Sequence, residues 1–161
     1  MIVLQTDHFV NKIVTDCFAH GTKTIKVNVN NYVFNKKDRI ATYGILRGTG
    51  EILKKLNNFY YLDHGYLLAS KRKFEKGNTT INNLEGYFRI VKNDFIGIRE
   101  GKFNSDRLSA LEIEFKEIRK HGEFIILSEP SEHIKKFFGL SNWVLDTENE
   151  LKKITDRKIV V

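Results

Sequence analysis

The chain has 161 residues, enough for one ordinary domain or for one domain and the opening of a second. Its 41% hydrophobic and 29% charged residues are those of a globular protein, and no apolar run nears the roughly 20 residues of a membrane span, so no membrane association is expected. A single cysteine, Cys17, excludes an internal disulfide and a multi-cysteine zinc site, and the formal net charge of +7 would attract a polyanion such as DNA or a phosphorylated substrate.

The first residues, MIVLQTDHFV, lack the basic start and small-residue cleavage site of a secretory signal, so a cytoplasmic location is expected. Residues 2–5 form a short apolar run and predict a first strand. Asp7 is placed to cap the segment after it, where Phe9, Ile13, Val14, Cys17 and Phe18 recur at helical spacing and Gly21 offers a stop. Residues 24–29 alternate Ile25, Val27 and Val29 and predict a second strand. After an Asn-rich stretch, residues 40–46 read as a buried strand that runs into Arg47-Gly48-Thr49-Gly50-Glu51 and a helix begun by Ile52, Leu53 and Leu56.

Residues 60–62 predict the next strand, ending at Asp63-His64-Gly65-Tyr66. Residues 71–83 are polar and read as an exposed loop, and residues 86–91 read as a strand that 95–98 could continue. An amphipathic helix follows Ser105 and Asp106. Residues 124–127, the helical segment with Ile134, Phe137 and Phe138, a further helix from Trp143 to Ile154 and residues 158–161 then read as strand, helix, helix and strand. Alternation of strand and helix favours an α/β fold with a Rossmann-like, mostly parallel sheet and flanking helices. Two regions are expected: an N-terminal α/β domain over 1–120, and over 121–161 a β–α–β start of a second Rossmann-like half or an extension of the same sheet.

Three clusters have the residue types for binding or catalysis. In Arg47-Gly48-Thr49-Gly50-Glu51 the glycines allow close backbone approach at a helix start and Arg47 can hold a phosphate; the same glycines equally suit a tight turn. Asp63 and His64 end a strand, where ligand sites gather in open α/β sheets, and either can serve as a general base. Neighbouring strand residues point to opposite faces, so the two meet in one cleft only if the chain turns at Gly65. Tyr87, Arg89 and Asn93 fall in or just beyond one strand and either line that cleft or form an exposed face. The histidines show no metal-ligand spacing, and no metal is expected.

Charge is unevenly spread. Residues 1–100 hold 16 Lys/Arg against 9 Asp/Glu, whereas 101–161 hold 11 of each. The excess sits at Lys36, Lys37 and Arg39 and at Lys71, Arg72 and Lys73, candidates for nucleic-acid contacts or for an ordinary solvated surface.

Tyr43-Gly44-Ile45-Leu46-Arg47-Gly48-Thr49-Gly50-Glu51-Ile52, Tyr61-Leu62-Asp63-His64-Gly65-Tyr66 and Gly86-Tyr87-Phe88-Arg89-Ile90 with Asn93 resemble a family of largely uncharacterised proteins from phages and marine bacteria. Phe138-Gly139-Leu140, Thr155-Asp156-Arg157-Lys158-Ile159-Val160-Val161 and residues 124–131 resemble it in the same order. That family is similar in arrangement to two-domain glycosyltransferases of the GT-B type, which implies a second Rossmann-like half continuing past the position of Val161. The resemblance implies sugar transfer from a nucleotide-sugar, used as substrate with no separate cofactor, to a hydroxyl on a modified DNA base or a surface glycan. It places Asp63, His64, Tyr66, Tyr87 and Arg89 on the acceptor side, with His64 or Asp63 as base, and the donor diphosphate near Ser128 and Ser131. The alternative is a non-catalytic nucleic-acid-binding phage accessory protein that uses the lysine clusters.

Overall fold

A computed structural model of the chain describes residues 1–65, 72–74, 80–82, 88–97, 104–110, 117 and 122–161. They belong to two compact units, Met1–Arg99 and Glu100–Val161. The first contains β1 (Ile2–Gln5), α1 (Phe9–Thr22), β2 (Ile25–Asn28), β3 (Ile40–Tyr43), α2 (Thr49–Lys54), β4 (Phe59–His64), β5 (Arg72–Phe74), β6 (Thr80–Asn82) and β7 (Phe88–Lys92). The second contains α3 (Asp106–Ala110), β8 (Phe124–Ile126), α4 (Glu132–Phe138), α5 (Trp143–Lys152) and β9 (Lys158–Val160).

The first unit is an α/β fold on a five-stranded sheet in the order β2-β1-β3-β4-β7. The first four strands are parallel and β7 runs antiparallel to β4, so the sheet is mixed but mostly parallel, in keeping with a Rossmann-like arrangement. From β1 the chain winds through α1 to β2 on one side; from β3 it winds through α2 to β4 on the other. The strand order therefore reverses between β1 and β3, where doubly wound folds open a crevice at their carboxyl edge.

Burial on both faces explains why these strands read as continuous apolar runs rather than alternating ones. Val3, Ala41 and Leu62 pack under Val10, Val14 and Ala19 of α1. Their neighbours Leu4, Ile40, Phe59 and Tyr61 pack on the opposite face with Leu53 of α2 and Leu56 just after it. Each large aliphatic side chain so buried contributes roughly 1.5–3 kcal/mol.

Several local expectations are corrected. The buried stripe of α1 is Val10, Asn11, Val14, Thr15 and Ala19, whereas Phe9 is 58% exposed and Cys17 is exposed. Asn11 and Thr15 turn inward because their polar groups are bonded there: Thr15 Oγ1 donates to the Asn11 carbonyl at 2.6 Å, and Asn11 ties two segments together as described below. His8, not Asp7, is the N-cap residue, and the helix runs through Gly21 to end at Lys23 in the left-handed region (φ 51°). Residues 71–83 are not simply a loop, since β5 and β6 pair antiparallel with Lys73 opposite Ile81. No strand continues at 95–98 among the described residues: Asn93 takes φ 57°, and Asp94 accepts the N–H groups of Phe95, Ile96 and Gly97 to form a turn. Those three bonds hold the Asp94 carboxyl below its ordinary pKa, the Gly97 and Ile96 bonds most of all.

In the second unit, β8 and β9 are parallel, with Ile125 opposite Ile159, and the connection between them holds α4 and α5. Gly139 ends α4 in the left-handed region at φ 70°, and Leu140 N–H returns to the Lys135 carbonyl at 2.8 Å. This is the strand, helix, helix, strand order expected for 124–161. No described helix in either unit is long and apolar enough to cross a membrane.

Candidate functional site at the carboxyl ends of the strands

Asn11 bridges the carboxyl ends of β1 and β3. It is 2% exposed; its Oδ1 accepts Thr6 N–H at 2.7 Å and its Nδ2 donates to the Tyr43 carbonyl at 2.7 Å. The turn after β1 is thereby fastened to the last residue of β3. Sequence reasoning missed this residue; the one available signal is an amide set between the apolar positions Val10 and Val14.

Tyr43 and His64 end the adjacent strands β3 and β4 on the α1 face. The Tyr43 hydroxyl lies 2.7 Å from His64 Nε2, and both side chains are half-buried. Phe88 of β7, directly opposite His64, stacks on the imidazole at 5.6 Å and meets Tyr43 edge-on at 6.0 Å. Ring packing and the hydrogen bond fix the orientation of the imidazole. Below Phe88 lies an apolar groove of about 570 Å³ lined by Leu62, Ile90 and the Ile13, Cys17 and Phe18 flank of α1.

Asp63 lies on the other face. It does not form a dyad with His64, because the chain is still a strand at both residues and their side chains diverge. Its Oδ2 accepts Arg89 at 3.0 Å and the Tyr61 hydroxyl at 2.8 Å, while Oδ1 accepts the His64 N–H at 2.8 Å. Arg89, the cross-strand partner of Asp63, also donates to the Phe95 and Ile96 carbonyls at 2.6 and 3.0 Å and lies over the Tyr61 ring at 5.4 Å. Burial, and then the negative charge of Asp63, push the Tyr61 phenol far above its ordinary pKa, so it remains a donor. These bonds make Asp63 and Arg89 a clamp between β4, β7 and the turn after β7. The Asp63→Ala variant is expected to lose about 2 kcal/mol, and Arg89→Met made with it is expected to cost less than the sum of the two, with a coupling of about 1 kcal/mol. A double-mutant cycle by urea unfolding measures the coupling; additive losses would contradict the clamp.

The turn at 44–50 closes on itself. Gly44, Arg47 and Gly48 all have positive φ, at 76°, 63° and 86°, which accounts for two of its glycines. Thr49, fully buried, donates from Oγ1 to the Gly44 and Leu46 carbonyls, both at 2.8 Å, and Gly50 N–H bonds the Ile45 carbonyl at 3.2 Å. Glu51 pairs with Lys54 at 3.6 Å. The helix that follows has only 6 residues, and an N–H group at its start is already bonded, so the turn has less to offer an anion than its sequence implies. Arg47 and Glu51 are the exposed charged residues of this group.

The remaining candidates disperse. Asn93 is a strand terminator: its Oδ1 accepts Phe59 N–H at 2.8 Å, and its own N–H bonds the Phe59 carbonyl at 2.9 Å. Ser131 is the N-cap residue of the 7-residue α4 without a side-chain cap bond, and Ser128 is exposed. Glu129 and Glu132 flank that turn and both pair with Lys135, raising its pKa, so this lysine is already engaged by carboxylates. Lys36, Lys37 and Arg39 are exposed in the connection before β3. Tyr66, Lys71 and Tyr87 lie outside the described residues, as do the side chains of Arg72 and Lys73 in β5. Among the described residues, no group of three or more His, Cys, Asp or Glu side chains is arranged to hold a metal. No protein-family model, curated protein or solved structure matches this chain.

Proposed function

We propose that the chain is glycosyltransferase-like, of the GT-B type, and that its first unit binds the acceptor whose hydroxyl receives a sugar from a nucleotide-sugar. The observation that carries the reading is the 2.7 Å Tyr43–His64 pair at the carboxyl edge of a parallel sheet. In the tautomer with the proton on Nδ1, His64 Nε2 accepts the Tyr43 phenol proton. An acceptor hydroxyl bonded to the Tyr43 oxygen then passes its proton to that oxygen as the phenol proton moves to His64. The acceptor oxygen forms the bond to the anomeric carbon, and the nucleoside diphosphate leaves with the electron pair of the broken bond. This reading concerns the acceptor side and assigns no residue to that diphosphate.

Two further features support it. Each unit has parallel strands joined through helices, the repeating element of a GT-B arrangement, and the sequence resemblance described above runs through both units. The test is release of nucleoside diphosphate from a panel of nucleotide-sugars, with simple glycosides and hydroxymethylated DNA as acceptors. Acceptor-dependent release is expected. No release with any donor and acceptor pair would overturn the transferase reading.

A further inference from the structure

The connection between β2 and β3 is a built loop. The Tyr32 hydroxyl donates to Asp38 Oδ2 at 2.9 Å and accepts Asn35 N–H at 3.2 Å. Asn35 Oδ1 accepts Lys37 N–H at 3.0 Å, and the Asn35 carbonyl accepts Asp38 N–H at 3.0 Å. The loop is fastened to the sheet at its end, where Ile2 N–H bonds the Arg39 carbonyl at 2.8 Å. Asp38, the only acidic side chain between 32 and 39, is held by Tyr32.

This scaffold holds apolar side chains out in water. Val33 is 86% exposed and Phe34 43% exposed. Lys55, just beyond α2, stands over the Phe34 ring at 5.9 Å from its centroid, which brings the end of α2 onto the same surface. Lys36, Lys37, Arg39 and Lys55 are all exposed, and none of them makes an ion pair among the described residues. Lys55 thus lies over an aromatic ring outside both core clusters, and Lys36, Lys37 and Arg39 follow that ring within five residues of the chain.

We infer that this surface binds single-stranded nucleic acid, with a base stacked on Phe34 and backbone phosphates on Lys36, Lys37, Arg39 and Lys55. Charge complementarity selects a polyanion, and the aromatic face selects one with unpaired bases, because a duplex keeps its base faces stacked internally. The excess positive charge of residues 1–100 steers such a ligand toward this unit. The surface is distinct from the His64 site: Arg39 precedes the start of β3 and Lys55 the start of β4, whereas Tyr43 and His64 end those strands. It therefore acts as a tether at the opposite edge of the sheet, and the inference does not depend on sugar transfer.

The test is fluorescence anisotropy of the full chain with a labelled oligothymidylate and with a duplex of equal length, between about 50 and 200 mM salt. The single strand is expected to bind tighter. Neutralising about four phosphates gives a slope of log K against log salt of about −3. The Phe34→Ala variant is expected to weaken single-strand binding about ten-fold while leaving the slope and the melting temperature unchanged. In Lys36→Gln/Lys37→Gln the slope should become shallower by about 1.4. Absence of single-strand binding at the lowest salt would overturn the inference. So would a preference for the duplex, or an affinity that Phe34→Ala leaves intact.

Discussion

The His64→Ala variant is expected to lower kcat/KM for sugar transfer by about 10²- to 10⁴-fold, the range for loss of a positioned general base. The proton relay requires both of its members, so Tyr43→Phe is expected to fall comparably although the imidazole remains. Both side chains are only half-buried at strand ends, and neither supplies the main core contacts of its strand. Urea unfolding should therefore show a much smaller change than the kinetics do. Asp63→Asn gives the contrast: its carboxylate faces the opposite side of the sheet and holds Arg89, so its effect belongs to stability and turnover should stay within a few-fold of the parent. Steady-state kinetics of the three variants checks this, and a Tyr43→Phe variant with full activity would remove the relay.

The second large effect is at Asn11. Replacement by leucine keeps the volume but leaves Thr6 N–H buried without its acceptor and takes the amide donor from the part-buried Tyr43 carbonyl, at about 1–3 kcal/mol each. A loss of about 3 kcal/mol is expected, equivalent to a fall in Tm of roughly 15 °C for a unit of this size. The damage is local in origin: the β1–α1 turn separates from the end of β3, and the strand end that holds Tyr43 against His64 loosens with it. Thermal unfolding followed by circular dichroism measures it. A Tm within a few degrees of the parent would show that water satisfies both groups and that Asn11 is not the fastening.

The parallel core was legible in the sequence because its strands are buried on both faces. Residues 2–5, 40–43 and 59–64 appear as largely apolar runs of strand length, and the glycine-containing segment 44–48 separates the second of them from the helical pattern after it. The helix stripe was less so. Hydrophobicity selects Phe9 and Cys17, but hydrogen bonds turn Asn11 and Thr15 inward in their place, and periodicity does not register a polar side chain buried by its own bonds. Nor does an apolar run at 88–92 carry the direction of β7, which is antiparallel.

The site was legible by halves. His64 could be found from its place at a strand end, but Tyr43, its hydrogen-bond partner, is 21 residues away on a neighbouring strand and no spacing rule joins them. Asp63 drew attention as a carboxylate beside a histidine, yet its partner is Arg89, 26 residues on, supplied by cross-strand register. The Gly48-Thr49-Gly50 turn shows the reverse error. Glycines between a strand and a helix carry the signature of an anion site, and here the buried Thr49 hydroxyl and two positive-φ residues next to it account for the same composition.

Chemical-shift mapping of the ¹⁵N-labelled chain, titrated with methyl glycosides as acceptor probes, tests the central claim most directly because it locates the acceptor independently of turnover. The account predicts perturbations at Tyr43, Gly44, His64 and Phe88, including the His64 ring nitrogens. Perturbations confined to other residues, with the Tyr43–His64 strand ends silent, would contradict it.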